Sequence, residues 1–570
     1  MRILFLTHGF NSLTQRLFIE LTELGHEISI EFDIADAVSE EAVALFAPDL
    51  IVAPYLRRAI PESIWARHVC LVVHPGIVGD RGPSALDWAI QDGAETWGVT
   101  VLQANAEMDA GDIWAAETFP LRHASKSSLY RNEVTEAAVR AVLAAVERFA
   151  RGNYEPRPLN TIDLPLQGGA RPLLRQADRA IDWARDGTVA VLRKINAADG
   201  NPGVLDELFG QPCWLFDAHP CKQSGGVAAA AHSGKPGQIF GRNGSGLLRK
   251  TGDGVLRIGH VIRRDASHPF KLPAAAAFPA ESAELPDMPC DWEEIGYQEA
   301  DGVGFLRFDF YNGAMSTRQC EDLLAAYLQA RARPTRVIVL LGGGDFWSNG
   351  IHLNLIEAAD SPADESWRNI NAIDDLARAI LATDQQLTIA ALRGNAGAGG
   401  AFLALAADRV WARRGVLLNP HYKNMGNLYG SEYWTYSLPR RVGRARANEI
   451  MQRRLPVGAL QAQHAGLVDD CFGDLESFMP ELRIRASALA SSADYPEILA
   501  AKRLARAQAE AEKPLAAYRE EKLAEMKRNF YGFDPSYHVA RYHFVYKLPH
   551  AWTPRHLAQH RQSTVRPAEG

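Results

Sequence analysis

The sequence is short of the features that would take it out of ordinary globular enzymes. Only six of its 570 residues are cysteine, and Cys70, Cys213, Cys221, Cys290, Cys320 and Cys471 are scattered with no CxxC pair and no ligand-like spacing. That excludes a disulfide scaffold and gives no sequence signal for a metal site, so reduced, mostly buried thiols and no metal are expected. No apolar segment approaches the ~20 residues of a membrane span. The opening MRILFLTHGFN is too brief an apolar run for a secretory signal, since His8 interrupts it at once. Excess positive charge is also missing: 61 Lys and Arg stand against 68 Asp and Glu, for a net charge of -7. Nucleic acid and anionic membrane surfaces are therefore not expected as partners. There is no internal repeat and no low-complexity block. What remains is a cytoplasmic chain long enough for roughly three or four domains at ~150 residues each.

What is present is strand–helix alternation. ILFLT, EISIEF, DLIVAPY, VCLVVHP and WGVTVLQ are short apolar runs rich in β-branched residues and predict buried strands. LTQRLFIELTELG, SEEAVALFA and the stretch Val134–Phe149 carry helical periodicity between and after them. The alternation predicts a largely parallel sheet covered by helices over 1–160. A Pro/Gly-rich connector, Pro156–Pro172, precedes a small β-rich domain over 161–267. HPFKLPAAAAFPAESAELPDMP then predicts a linker over 268–290. A second α/β domain is expected over 291–475. A helical extension over 476–570 is interrupted by Pro514 and has no sustained heptad, so it reads as an appendage packed on that domain rather than a coiled coil.

The first chemical signal is VVHPGIVGDRGPSA, which follows a strand. A His at the carboxyl end of a strand lies where open α/β sheets bind ligands, although a lone His is more often structural. Downstream, GVTVLQANAEMDAGDIW places Asp109 in a turn after another strand. A carboxylate near an imidazole orients it and stabilises its protonated form, an arrangement for moving one proton. Together these stretches resemble the folate-dependent formyltransferases, the methionyl-tRNA and glycinamide-ribotide enzymes among them, over roughly residues 1–265. The resemblance implies 10-formyltetrahydrofolate as donor, His74 as the proton-transfer group with Asp109 beside it, and a pterin held near the loop Tyr55–Pro61 by Tyr55, Arg57 and Arg81. One position departs from the family. Its Asn-x-His motif has Val72 in place of the Asn, and losing one oxyanion donor typically costs ~10²–10³ in rate. Either another group such as Asn11 or Gln103 serves, or the chemistry differs.

The second signal pairs LGGGDFWSNGIHL with RGNAGAGGAFLALAAD. Both loops follow apolar β-rich runs, and both place glycine where a backbone N–H has to face a ligand. A dinucleotide reading fails because neither carries the strand–helix unit with an acid ~20 positions on. The pair resembles the crotonase (enoyl-CoA hydratase/isomerase) superfamily over about Tyr297–Asp474. This implies a coenzyme A thioester whose carbonyl is polarised by main-chain donors at Asn349 and Gly399, with Gly350 and Gly400 lining the site. The hydratase acids are absent: Phe402 stands at one position and His421 follows Pro420 at the other. Hydration of a double bond is therefore not expected. Tyr422 and Glu432 are the replacement acid–base candidates, the bland alternative being packing aromatics and a helix-start residue.

The fused pair resembles a family of [NiFe]-hydrogenase maturation factors. The fold this implies is α/β: a formyltransferase-like open parallel sheet with a β-rich subdomain, then a crotonase-like domain with a helical tail. The implied chemistry is formyl transfer from 10-formyltetrahydrofolate to coenzyme A, then loss of carbon monoxide from formyl-CoA. The implied partners are small-molecule substrates and the proteins that assemble the hydrogenase iron site. Two other readings stay open at this point. One is a formyltransferase acting on an amine or sugar nucleotide with a rear domain that binds or hydrolyses acyl-CoA; the other is a non-catalytic folate and coenzyme A scaffold.

Overall fold

The five strands expected at the front form, and a sixth joins them. β1 (Arg2–Thr7), β2 (Glu27–Phe32), β3 (Leu50–Ala53), β4 (Cys70–His74), β5 (Thr96–Gln103) and β6 (Ile113–Pro120) lie in the order β2-β1-β3-β4-β5-β6. The first four are parallel, but β5 runs antiparallel to both β4 and β6. Only β5 is reversed, since a strand antiparallel to both neighbours leaves β6 in the direction of β4, so the expectation of a largely parallel sheet holds with this one exception, and the turn carrying Asp109 joins β5 and β6 as a hairpin. The computed structural model describes residues 1–159, 168–222 and 234–562. Part of the connector Pro156–Pro172, with the expected boundary at 160, lies outside them. The chain divides into Met1–Trp292 with Pro549–Gly570, and Glu293–Leu548.

The second sheet of the first unit is β7 (Val204–Leu208), β8 (Gln211–Pro220), β9 (Ile239–Asn243), β10 (Gly246–Lys250) and β11 (Val255–Arg263), in the order β7-β8-β11-β10-β9. The segment 268–290 differs from the expected linker. It contributes β12 (Leu272–Pro273), which pairs with β11, and the helices Ala274–Ala277 and Pro279–Ala283, with Phe278 fully buried. Helices of four and five residues are too short to leave a 3.6-residue pattern, so their packing is not visible as periodicity.

In the second unit, β13 (Ile295–Ala300) pairs antiparallel with β14 (Val303–Phe308). The parallel strands β15 (Val337–Leu341), β17 (Leu387–Leu392), β19 (Arg409–Arg413) and β22 (Asp470–Phe472) continue that sheet. The runs VIVLL and LTIAAL are buried throughout because helices cover both faces. Alternation sorts them: Val337, Val339 and Leu341 enter one core, Ile338 and Leu340 the other. The tail helices close both cores. Phe478–Ser491 packs into the first, while Leu515–Tyr531, which starts after Pro514, places Leu515, Met526 and Phe530 in the second. A smaller sheet holds the glycine loops: β16 (Phe346–Ser348), β18 (Asn395–Gly397), β20 (Leu417–Asn419) and β21 (Val457–Gly458). No described helix is long and apolar enough to cross a membrane.

Candidate functional site

His74 is the last residue of β4, and its ring is gripped by two carboxylates rather than one. Nε2 lies 2.8 Å from Asp80 Oδ2, and Nδ1 lies 3.6 Å from Asp109 Oδ1. The imidazole and Asp80 are almost fully buried, at 5% and 1% side-chain exposure, whereas Asp109 keeps 13% and so faces the accessible side. Glycine is required at Gly76, where a side-chain carbon would collide with His74 Nε2 and Asp80 Oδ2. Asp109 adopts φ 55°, a left-handed conformation tolerated by Asp, and Oδ2 accepts the Gly82 N–H at 3.2 Å. The two loops of the motif are thereby tied together. Asp80 was missed by sequence reasoning, though it stands within the same HPGIVGDRG stretch; a second acid in that loop was the available signal.

Tyr55 and Arg57 follow β3 at the same sheet edge. Arg57 Nε donates to Tyr55 Oη at 3.1 Å, and the Arg57 main-chain N–H donates to Asp33 Oδ2 at 3.2 Å. Arg81 pairs with Glu107, in the loop that leads to Asp109. Of the two groups considered for the missing Asn, Gln103 sits opposite Leu71 in the ladder, while Val72 sits opposite Leu102. The pleat therefore turns Gln103 away from the face that carries Val72 and His74. Asn11 caps the helix Ser12–Glu23 by accepting the Thr14 N–H at 3.0 Å.

In the second unit, Tyr422, Glu432, Gly350 and Gly399 come together. Tyr422 Oη donates to Glu432 Oε2 at 2.5 Å, and both residues are buried. A side-chain carbon on Gly399 would collide with Glu432 Oε1, and one on Gly350 would lie 3.2 Å from Gly399 Cα. The carboxylate thus reaches the spot where the two glycine loops meet. Glu432 and Tyr433 both have positive φ, at 53° and 56°. Two consecutive left-handed non-glycine residues are costly and concentrate at functional sites. Here they aim the carboxylate inward just before the helix Trp434–Val442. Phe402 is fully buried and stacks on Tyr422 at 5.1 Å and 20°, so it walls the acid pair rather than replacing it.

A third acid and a cation lie behind Glu432. Asp374 Oδ1 accepts the Glu432 N–H at 2.9 Å and the Lys522 Nζ at 2.7 Å, and neither side chain of the Asp374–Lys522 pair has exposed surface. Burial, reinforced by the Asp374 charge, pushes the Glu432 carboxyl up to about 7, while Tyr422 and Lys522 oppose the shift. Burial, with the Glu432 charge second, raises the Tyr422 hydroxyl well above the phenol range. One expected donor is corrected. The Asn349 N–H donates to Gly313 O at 2.7 Å, and the Gly350 N–H to Ser348 Oγ at 3.0 Å. Both are spent inside the protein, and Ile351 follows them in the loop.

Comparison with known proteins matches both halves. The formyl transferase family model matches residues 32–146, the formyl transferase C-terminal domain model 173–270, and the enoyl-CoA hydratase/isomerase model 301–554. The chain is 56% identical over 562 residues to hydrogenase maturation factor HoxX of Bradyrhizobium diazoefficiens, covering 98% of this chain and 97% of that one. It is 47% identical to HypX from Aquifex aeolicus, solved in complex with tetrahydrofolic acid, with a TM-score of 0.94 and 99% of both chains covered. The front part alone is 27% identical over 248 residues to methionyl-tRNA formyltransferase of Chloroflexus aurantiacus, covering 42% of this chain and 76% of that protein.

Proposed function

The chain belongs to the family of the hydrogenase maturation factors HoxX and HypX, and on that premise we propose that it makes carbon monoxide in two steps. The front unit transfers the formyl group of 10-formyltetrahydrofolate to coenzyme A. The rear unit splits formyl-CoA into carbon monoxide and coenzyme A, and the carbon monoxide serves the iron site of a [NiFe]-hydrogenase. The tetrahydrofolic acid complex of the Aquifex protein supports folate as the front ligand. His74, flanked by Asp80 and Asp109, takes the proton released when the thiol attacks the formyl carbon.

The observation that carries the rear step is the buried Tyr422–Glu432 pair set against Gly399 and walled by Phe402. A formyl thioester has no α-carbon, so the enolate chemistry of its fold relatives has no counterpart. Its carbonyl carbon instead carries the hydrogen that must leave. Glu432 accepts that proton, directly or through Tyr422, the C–S bond breaks, and the same pair returns a proton to the departing thiolate. The N–H groups of Ile351 and Gly399 polarise the carbonyl oxygen. A carboxyl held at about 7 serves as a base that also gives its proton back at neutral pH. The apolar ring of Phe402 keeps water from the thioester and so disfavours hydrolysis to formate. Supplying formyl-CoA alone tests the rear step by itself. Carbon monoxide is the expected product, and formate without carbon monoxide would refute it.

A further inference from the structure

The six cysteines carry no spacing signal, yet the fold brings two of them together with an acid. Cys221 follows β8, and its N–H donates to Val255 O at 3.0 Å. Cys290 ends the segment 268–290 and Asp291 follows it; the segment is laced to the strand β9 where Met288 N–H donates to Arg242 O at 2.8 Å and Asn243 Nδ2 donates to Met288 O at 3.0 Å. The two sulfurs and a carboxylate oxygen of Asp291 all lie within 4.8 Å of one another. We propose that Cys221, Cys290 and Asp291, which neither proposed reaction uses, form a binding site for one thiophilic divalent cation of the zinc class.

Geometry supports this first. A tetrahedral zinc ion with Zn–S of about 2.3 Å and Zn–O of about 2.0–2.2 Å needs its donors roughly 3.5–3.8 Å apart. The three atoms therefore have at most about 1 Å to close, and Cys290 is partly exposed and Asp291 exposed, which leaves the ligands reachable by a cation. The donor set comes second: two sulfurs select a soft cation over magnesium or calcium. Third, the outer contacts suit it. The Lys222 N–H donates to Asp291 Oδ1 at 2.7 Å and fixes the carboxylate, as second-shell partners of metal ligands do.

Charge balance is the fourth support. Two thiolates, a carboxylate and a divalent cation sum to one negative charge. The guanidinium of Arg257, 2% exposed, stacks on Trp292 at 4.0 Å, and its Nε and Nη1 have no hydrogen-bond partner. It supplies the compensating positive charge.

The test uses the full-length protein, reduced and freed of metal with a chelator, then titrated with Co²⁺. The expected result is a thiolate-to-cobalt charge-transfer band that saturates at one equivalent and is displaced by Zn²⁺. Cys221→Ser and Cys290→Ser should each abolish the band, Asp291→Asn should weaken cobalt binding at least tenfold, and Cys320→Ser should leave it intact. In the unmutated protein, Zn²⁺ should protect Cys221 and Cys290, and not Cys320, from alkylation read by mass spectrometry; this arm is independent of whether a variant folds. No charge-transfer band, a band that survives in the Cys221→Ser/Cys290→Ser double variant, or alkylation of the pair unchanged by zinc would overturn the proposal.

Discussion

Lys522 Nζ lies 2.7 Å from Asp374 Oδ1 with both side chains fully enclosed, and the same oxygen holds the Glu432 N–H. A helix of the C-terminal extension therefore delivers a positive charge to the back of the proposed acid–base pair. Asp374 raises the Glu432 carboxyl and Lys522 lowers it. Lys522→Met should accordingly move the pH–rate profile for carbon monoxide release upward, and Asp374→Asn should move it downward. Removing one member of a buried pair also costs about 3–5 kcal/mol, so the lysine variant should melt earlier. A purely structural role would lower stability in both variants without opposite shifts of the profile.

Tyr422→Phe and Glu432→Gln should each cut carbon monoxide release by about 10²–10⁴, the usual worth of a general acid or base. The front reaction should continue, so formyl-CoA should accumulate in both variants. Gly399→Val should weaken coenzyme A binding in calorimetry, since a side chain there collides with Glu432 and fills the glycine cradle. Undiminished release from the Tyr422→Phe/Glu432→Gln double variant would remove these residues from the chemistry.

The Glu432 carboxyl also makes a stability prediction that does not depend on turnover. It sits at about 7 in the folded chain, against about 4.3 when unfolded. Between those values the folded state binds the extra proton, so this group subtracts stability as pH rises from about 4.3 through about 7. Glu432→Gln should therefore gain thermal stability relative to the unmutated chain at pH 8, and lose that advantage at pH 4. Equal differences in melting temperature at both pH values would contradict the buried, proton-holding carboxyl. For the reaction, the basic form is needed, so carbon monoxide release should rise with pH and level off above about 7.

At the front, His74→Ala should abolish consumption of 10-formyltetrahydrofolate while coenzyme A binding to the rear unit survives. Asp109→Asn should be nearly as damaging. Asp80→Asn should also slow the reaction, because Asp80 makes the closer contact to the ring at 2.8 Å. Near-normal turnover by His74→Ala, followed by the loss of formyl-folate, would disqualify the imidazole. Asn at Val72 should help little if another group already fills that role.

The strands and the two glycine loops were legible because buried β-runs and loop glycines leave local marks. His74, Asp109, Tyr422 and Glu432 stood in short stretches whose neighbours announced them. Lys522 and Asp374 left no mark, since they meet only when the tail helix Leu515–Tyr531 packs on the helix Pro362–Leu381. The donor next to Gly399 was misplaced for a related reason: a glycine loop shows where N–H groups cluster, but only the bonds to Gly313 and Ser348 reveal which are already spent. Cys221 and Cys290 look unrelated in the sequence because they stand far apart along it and meet only in the folded cluster of Cys221, Leu248 and Val255, against which Met288 and Cys290 pack.

The most direct measurement is carbon monoxide captured by a haem reporter when the purified protein is given 10-formyltetrahydrofolate and coenzyme A together. The account predicts carbon monoxide in step with formyl-folate consumed, none when coenzyme A is omitted, and a loss of about 10²–10⁴ in Glu432→Gln. Formyl-folate consumption that yields formate or a formylated amine, with no carbon monoxide, would contradict it.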